Sequence, residues 1–556
     1  MLKGIVAVAL LVAPATSQAK QAPAEFDWFE YKGDDGLPKP EPGEVANPVL
    51  QGFYPDPSIV RVGLDYYLVN STFAWFPGIP IFHSRDLVHW TQIGNAIDRP
   101  TQLDLAKTNM GLGLYAPDIS FHDGTFYILN TCVGCGGNFV ITAKRPQGPW
   151  SDPVWLPDVN GIDTSLFFDD DGSAWIVHNG PPPEKPKYDG HTALWLQQFD
   201  PKTLKTFGRP EVLVDQGTHP ERNPIWIEGP HIFKKDRFYY LIAAEGGTAE
   251  QHSEIVFRSE KVAGPYRPLE SNPILTQRDL PNDRPHPITS TGHAKLVDTP
   301  AGEWWAVFLG VRPYDAAGDF NTGRETFMMR VRWQDGWPRI TDPGQRALWV
   351  ARAAKLPREA KPAVPLNGDF VLRENFDGSK LAPYWMMLRN PHGQWWRLRK
   401  GALEIDAQRT VLGDEGNPSL LARRQQHLNA TATTEVRFHP ADDGAEAGIV
   451  AFQNEEHWYF LAVGSKGGRP VVRVRRRNND DAAGMVIAEA PFPKPDHPVQ
   501  LRISAHGASD DFAWSVDGQH WRTLVKDADG TILGTKKAGG FVGAVFGLYA
   551  HDGAGK

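Results

Sequence analysis

An all-β protein of two domains is what this chain predicts, a five-bladed β-propeller followed by a β-sandwich. Three observations carry that expectation. The 556 residues exceed one ordinary domain. Turn residues (54 Gly, 47 Pro) punctuate short runs rich in aromatic and β-branched residues, 19 Trp among them, while helical periodicity is scarce. A weak internal repeat, a polar turn followed by an aromatic-rich strand, recurs five times.

The five copies are Gly63–Asn70, His122–Asn130, Asp171–His178, Lys235–Ile242 and Ala301–Phe308. They are spaced roughly every 50–65 residues, within reach of propeller blades with long loops. Four are followed by a strand that ends in a second polar turn: His83–Trp90, Thr142–Trp150, Gln198–Leu204 and Arg258–Tyr266. A blade of four antiparallel strands accommodates both pieces, which sets the propeller at residues 46–345. The short segment before each copy then becomes the innermost strand, and inner strands converge on one axis. Those segments hold Asp56, Tyr115-Ala-Pro-Asp-Ile119, Asp163, Glu228 and Ser290–Leu296.

Pro357–Asn367 is proline-rich and reads as an extended linker. Beyond it, residues 366–556 keep a β pattern, with strands over Ala402–Asp406, Ala432–Phe438, Ala447–Phe452 and Trp458–Val463. The basic run Arg473–Arg477 reads as a solvated strand edge rather than a binding patch.

At the N-terminus, Lys3, the apolar run Ile5–Val12 and small residues at Ser17-Gln-Ala19 read as a signal peptide over residues 1–19. The run is too short to span a bilayer. The expectation is an exported protein, periplasmic or extracellular, with no membrane segment. The two cysteines, Cys132 and Cys135, then suit a small local disulfide or an inert thiol pair. Further zinc ligands are missing locally, and Gly136-Gly137 leads into a strand rather than the helix of a redox CxxC. The net charge of −8 comes from scattered acids without a basic stripe, which argues against nucleic acid as a partner.

Three carboxylates stand among aromatic and turn residues: Asp56 in Gly52-Phe-Tyr-Pro-Asp-Pro-Ser58, Asp163 in Gly161-Ile-Asp-Thr-Ser-Leu166 and Glu228 in Trp226-Ile-Glu-Gly-Pro230. Acids set at a defined depth have pKa values that burial and neighbouring charge can move. Two or three of them on one cleft meet the needs of glycosidic hydrolysis, where one protonates the leaving oxygen and another activates water. Taken alone, Asp56 between prolines fits a plain turn equally well, and Asp163 fits a side-chain-capped turn. Their order on successive inner strands joins them.

Together with Phe73-Ala-Trp-Phe-Pro-Gly78, Thr291-Gly-His293 and Gly323-Arg-Glu-Thr326, these motifs resemble family 43 glycoside hydrolases. The closest likeness is to the β-xylosidase and α-L-arabinofuranosidase branch with a concanavalin A-like second domain. The resemblance implies Asp56 as general base, Glu228 as general acid and Asp163 as the residue that orients the acid and raises its pKa. It also implies inversion, with Asp56 and Glu228 roughly 6.5–9.5 Å apart. Arg324 matches a sugar-binding arginine, and Phe73, Trp75 and Phe76 match pocket walls. Tyr115 stands where the family has Trp or Phe, and Phe541 is nearest to a phenylalanine that closes the pocket. His293 matches an axial histidine beside a structural calcium or water; no cofactor is required. After Gly540–Tyr549 the family runs on through one more aromatic strand, whereas this sequence stops at Lys556.

The expected substrate is a xylo-oligosaccharide attacked at its non-reducing end, with arabinose-substituted xylan or arabinan as the alternative. A retaining fructan hydrolase would need Asn-Asp-Pro and Glu-Cys motifs, which the sequence lacks. A lectin propeller would not need three positioned acids. No glycine-rich nucleotide loop supports phosphate or redox chemistry.

Overall fold

The computed structural model describes residues 21–479, 484–492 and 497–553. The signal peptide expected over 1–19 lies outside the described residues. Nearly all regular structure is β, and five sheets arranged around an axis form the propeller. The inner strands of blades one to five are Ser58–Val62, Asp118–His122, Ile162–Phe168, Glu228–Lys235 and Thr289–Asp298. Each neighbours the next, and the fifth returns to the first. The aromatic repeats form the second strands, Asp65–Val69, Thr125–Val133, Ala174–Gly180, Phe238–Glu245 and Trp304–Val311. Alternate residues of these strands fill the cores between blades, as Tyr240, Ile242 and Trp304 do between blades four and five.

Asp118 binds the axis together. Its carboxylate pairs with Lys295 of blade five and accepts the Ser58 hydroxyl of blade one at 3.0 Å and the Leu166 amide of blade three at 3.0 Å. His231 of blade four stands 3.5 Å away. One buried carboxylate therefore touches the inner strands of all five blades. Asp118→Ala is expected to cost about 3–5 kcal/mol, because it leaves the Lys295 ammonium without its counter-charge. Calorimetry checks this, and an unchanged Tm would mean that the axis does not depend on the brace.

The chain enters the propeller along blade five. The amides of Val49 and Tyr54 donate to the carbonyls of Thr326 (2.8 Å) and Arg324 (3.0 Å). The incoming Glu44–Ala46 also pairs with the outgoing Val350–Arg352. This stitching sets Asp56 beside Arg324, although 268 residues separate them.

The second unit is a sandwich of two eight-stranded sheets. The strands expected near 402, 432, 447 and 458 are present as Ala402–Ile405, Asn429–Arg437, Glu446–Asn454 and His457–Lys466. Two of its strands come from elsewhere in the chain. Ala24–Gly33 lies between Ala402–Ile405 and Asn429–Arg437 in one sheet, and Trp75–Phe76 of the propeller pairs with Met386–Leu388 at the edge of the other. Around this junction Phe53, Trp75 and Met110 share a core with Leu388, Phe452 and Val545. The Arg424 guanidinium lies 4.5 Å over the Phe53 ring and 4.1 Å over the Tyr54 ring.

One expectation needs correction. Arg473–Arg477 is neither an edge nor a solvated face. Its strand, Arg469–Asn478, runs between two others, and Arg473 and Arg475 pair with the fully buried Glu446 at 2.9 and 2.7 Å. A buried carboxylate needs such partners, and the basic residues supply them.

Candidate active site

Asp56, Asp163 and Glu228 gather at the end of the axis where the inner strands begin. There the strands abandon regular pairing. Register shifts fall between Ile162 and Ser165, between Glu228 and His231, and twice between Thr289 and Lys295. Asp56, Asp163 and His293 have φ of +50°, +56° and +54°. Left-handed backbone is uncommon for such residues, and with bulges it re-aims side chains that a regular strand would alternate. The device recurs in blade after blade, so Asp56, Asp163 and His293 line one small cavity, with Glu228 close enough to feel their charges.

Asp56 is 6% exposed. Ser71 donates to its Oδ2 at 2.6 Å, and Arg324 Nη1 lies 3.2 Å from Oδ1. Burial pushes this carboxyl upward, but Arg324, His293 and Ser71 outweigh it and hold the group below the ordinary value. Its Oδ1 accepts no hydrogen bond from the described residues. Asp163 Oδ2 accepts the Gly229 amide at 3.1 Å and stands 3.6 Å from His293 Nε2. Gly229, next to Glu228, has no alternative. Its φ is +57°, and a Cβ there would lie 2.7 Å from the His293 ring.

Glu228 is half-buried. Burial and then repulsion from Asp163 raise its pKa well above the ordinary carboxylate value, against the opposing pull of His293 and Arg324. Burial works against the charged form of His293, yet Asp163 and the other surrounding carboxylates lift it to about 9. Two cations, Arg324 and His293, thus face three carboxyl groups. One carboxyl lacks a counter-charge, and Glu228 is the one whose surroundings favour the proton.

The wall comes from both domains. Phe541 of the sandwich packs 6.2 Å from Phe73 and 5.9 Å from Tyr115, centroid to centroid, and the Arg324 guanidinium lies 5.0 Å over its ring. Tyr115 is held by its hydroxyl on the Gly111 carbonyl at 2.6 Å. It follows the strand Gly113–Leu114, which pairs with Cys132 and Val133. Cys132 and Cys135 are disulfide-bonded, which clips the turn beside that wall. Trp75 and Phe76 correct the expectation of pocket walls. Trp75 is fully buried in the core between the domains, and Phe76 packs among Ile79, Leu114 and Phe139.

Sequence reasoning passed over His252 and Glu254 behind the site. The His252 Nδ1 lies 3.0 Å from the Ser290 carbonyl, and burial lowers the ring to about 4. Glu254 accepts the Ala294 amide at 2.9 Å, and burial raises it to about 8. Both support the bulged segment that carries His293. The spacing His252-Ser-Glu254 gave no signal, because alternation on a strand puts the two on one side without saying what they face.

The residues around His293 do not fit a calcium ion, which takes six to eight oxygen ligands. His293 offers nitrogen, Asp163 Oδ2 is engaged by Gly229, and the Asp118 carboxylate is already neutralised by Lys295. The axial cavity bounded by Asp56, Asp118, Asp163 and His293 is about 10 Å³, room for about one water.

Comparison with known proteins agrees with this geometry. Residues 45–338 match the family described as glycosyl hydrolases family 43, and 373–556 match the beta xylosidase C-terminal concanavalin A-like domain. A xylosidase/arabinosidase of Butyrivibrio fibrisolvens is 38% identical over 526 residues, covering 91% of this chain and 95% of its own. A non-reducing end alpha-L-arabinofuranosidase of Bacteroides ovatus is 34% identical, covering 91% and 90%. Among solved structures, a GH43_12 protein from capybara gut metagenome superposes with a TM-score of 0.89 at 38% identity, covering 96% of this chain and all of its own (100%).

Proposed function

The chain belongs to glycosyl hydrolase family 43, and from that membership we propose an exo-acting, inverting hydrolase that releases xylose from the non-reducing ends of xylo-oligosaccharides. The observation that carries the chemistry is the opposed pair: a carboxylate kept ionised by Arg324 and a carboxyl kept protonated by burial beside Asp163. Asp56 takes a proton from water as that water attacks the anomeric carbon. Glu228 gives its proton to the departing oxygen. Asp163 holds the Gly229 amide, and with it the start of the acid's strand. Inversion requires Asp56 and Glu228 roughly 6.5–9.5 Å apart, with the water between base and sugar. Arg324 serves twice, holding Asp56 ionised and offering donors to sugar hydroxyls.

Exo action is supported by the wall. Phe541 brings the second domain against Phe73, Tyr115 and Arg324, so the site is shut on that side. Release of arabinose is the second reading, because relatives named xylosidase/arabinosidase and arabinofuranosidase match along almost the whole chain. The proposal includes export to the periplasm or beyond, which the Cys132–Cys135 disulfide supports as a feature of oxidising compartments.

Two measurements test this. Initial rates on p-nitrophenyl β-D-xylopyranoside and p-nitrophenyl α-L-arabinofuranoside rank the two sugars, with the xyloside expected to be faster. NMR of fresh p-nitrophenyl β-D-xylopyranoside digests, in which all xylose comes from the glycone, should show α-xylose appearing first. Initial β-xylose would exclude inversion, and inactivity on both glycosides and xylobiose would exclude the assignment.

A further inference from the structure

Most large apolar side chains of the propeller are buried, yet the Trp226 indole is 43% exposed. It stands two residues before Glu228, at the open end of the inner strand, and the intervening Ile227 is fully buried. Its φ is +47°, a conformation that a bulky residue keeps only where its surroundings impose it. Here they do. The Trp226 amide donates to the Gly190 carbonyl at 2.8 Å, and the Gly246 amide donates to the Ile225 carbonyl at 3.0 Å. The Tyr188 hydroxyl donates to the Pro224 carbonyl at 2.8 Å.

The ring itself rests on two glycines. A Cβ at Gly190 would lie 2.9 Å from the Ile225 side chain and 3.3 Å from the indole Nε1, and one at Gly247 3.2 Å from Cε3. Their φ values of +81° and +77° also disfavour any other residue. The backbone is thus built to seat a flat ring whose remaining surface meets solvent. Core packing does not require this; a binding platform does.

Its position assigns the occupant, granted the hydrolase reading above. Asp56, Asp163, His293 and Arg324 are each at most 8% exposed and mark the deep end, where the sugar to be released sits. Glu228 protonates the oxygen between that sugar and the leaving group. A ring on the outward side of Glu228 therefore faces the leaving group. We propose that Trp226 is the platform of the +1 subsite, on which the pyranose ring of the departing xylo-oligosaccharide stacks. Binding a part of the substrate that does not itself react helps to align the scissile bond under the acid.

The test compares wild type, Trp226→Ala and Trp226→Phe on xylobiose and on β-D-xylopyranosyl fluoride, whose leaving group has no ring. Trp226→Ala is expected to lose about tenfold in kcat/KM on xylobiose, with under about twofold change on the fluoride, and Phe to recover most of the loss. Equal losses on both substrates would overturn the proposal, since the ring would then act only by holding the segment before Glu228. No loss on xylobiose would overturn it as well. A wild type inert toward both substrates would overturn the xylose-releasing reading, and this subsite with it.

Discussion

Glu228→Gln is expected to lower kcat on xylobiose by about 10²–10⁴-fold, the usual contribution of a positioned general acid. The loss should be much smaller on p-nitrophenyl β-D-xylopyranoside, because nitrophenolate departs with little help from a proton. That contrast separates a proton donor from a residue that merely shapes the site. The pH profile gives a second, independent reading. Glu228 must carry its proton, so activity should fall as pH rises through its folded value of about 8. Asp56 must be ionised, so activity should fall as pH drops through a value below its ordinary 3.8. In Glu228→Gln, assayed on the nitrophenyl substrate, the alkaline limb should vanish and the acid limb should stay. An equal loss on both substrates, or a surviving alkaline limb, would remove Glu228 from the role of acid.

The two roles were legible in the sequence to different degrees. A repeat of polar turn and aromatic strand is a local pattern, and it named five blades because each copy is one second strand with its hairpin turn. The preceding inner strands followed from topology, and with them the convergence of Asp56, Asp163 and Glu228. The bulges were not legible. Register shifts with φ near +50° arise from pairing between strands, and nothing in Gly161–Leu166 alone announces that Asp163 is turned toward the axis.

Long-range assembly was hidden for the same reason. Nothing in Ala24–Gly33 alone points to its partners, and its place between Ala402–Ile405 and Asn429–Arg437 depends on strands almost four hundred residues away. The aromatic cluster Phe73–Phe76 shows how composition misleads. Aromatic residues favour pocket walls and domain cores alike. Only Phe73 meets Tyr115 and Phe541, while Trp75 is drawn under the sandwich by pairing with Leu388. The charges of Arg473 and Arg475 misled in the opposite direction, since their counterpart Glu446 lies on another strand.

Asp56→Ala should behave differently from Glu228→Gln, and the difference bears on stereochemistry. Water has to be activated whatever the leaving group, so the loss, again about 10²–10⁴-fold, should be similar on xylobiose and on the nitrophenyl xyloside. Truncation also removes the partner of the 3.2 Å ion pair with Arg324, which leaves a buried guanidinium beside the space vacated by the carboxylate. A small anion that needs no deprotonation fits both the space and the charge. Azide is therefore expected to restore turnover of the nitrophenyl substrate in Asp56→Ala and to leave Glu228→Gln unaffected. Attack from the side of Asp56, opposite the departing group, must yield α-xylosyl azide from the β-glycoside. A β-configured azide would place the missing carboxylate on the wrong face, and Asp56 would then not be the base. Azide with no effect on a folded Asp56→Ala protein would argue that Asp56 serves chiefly to hold Arg324.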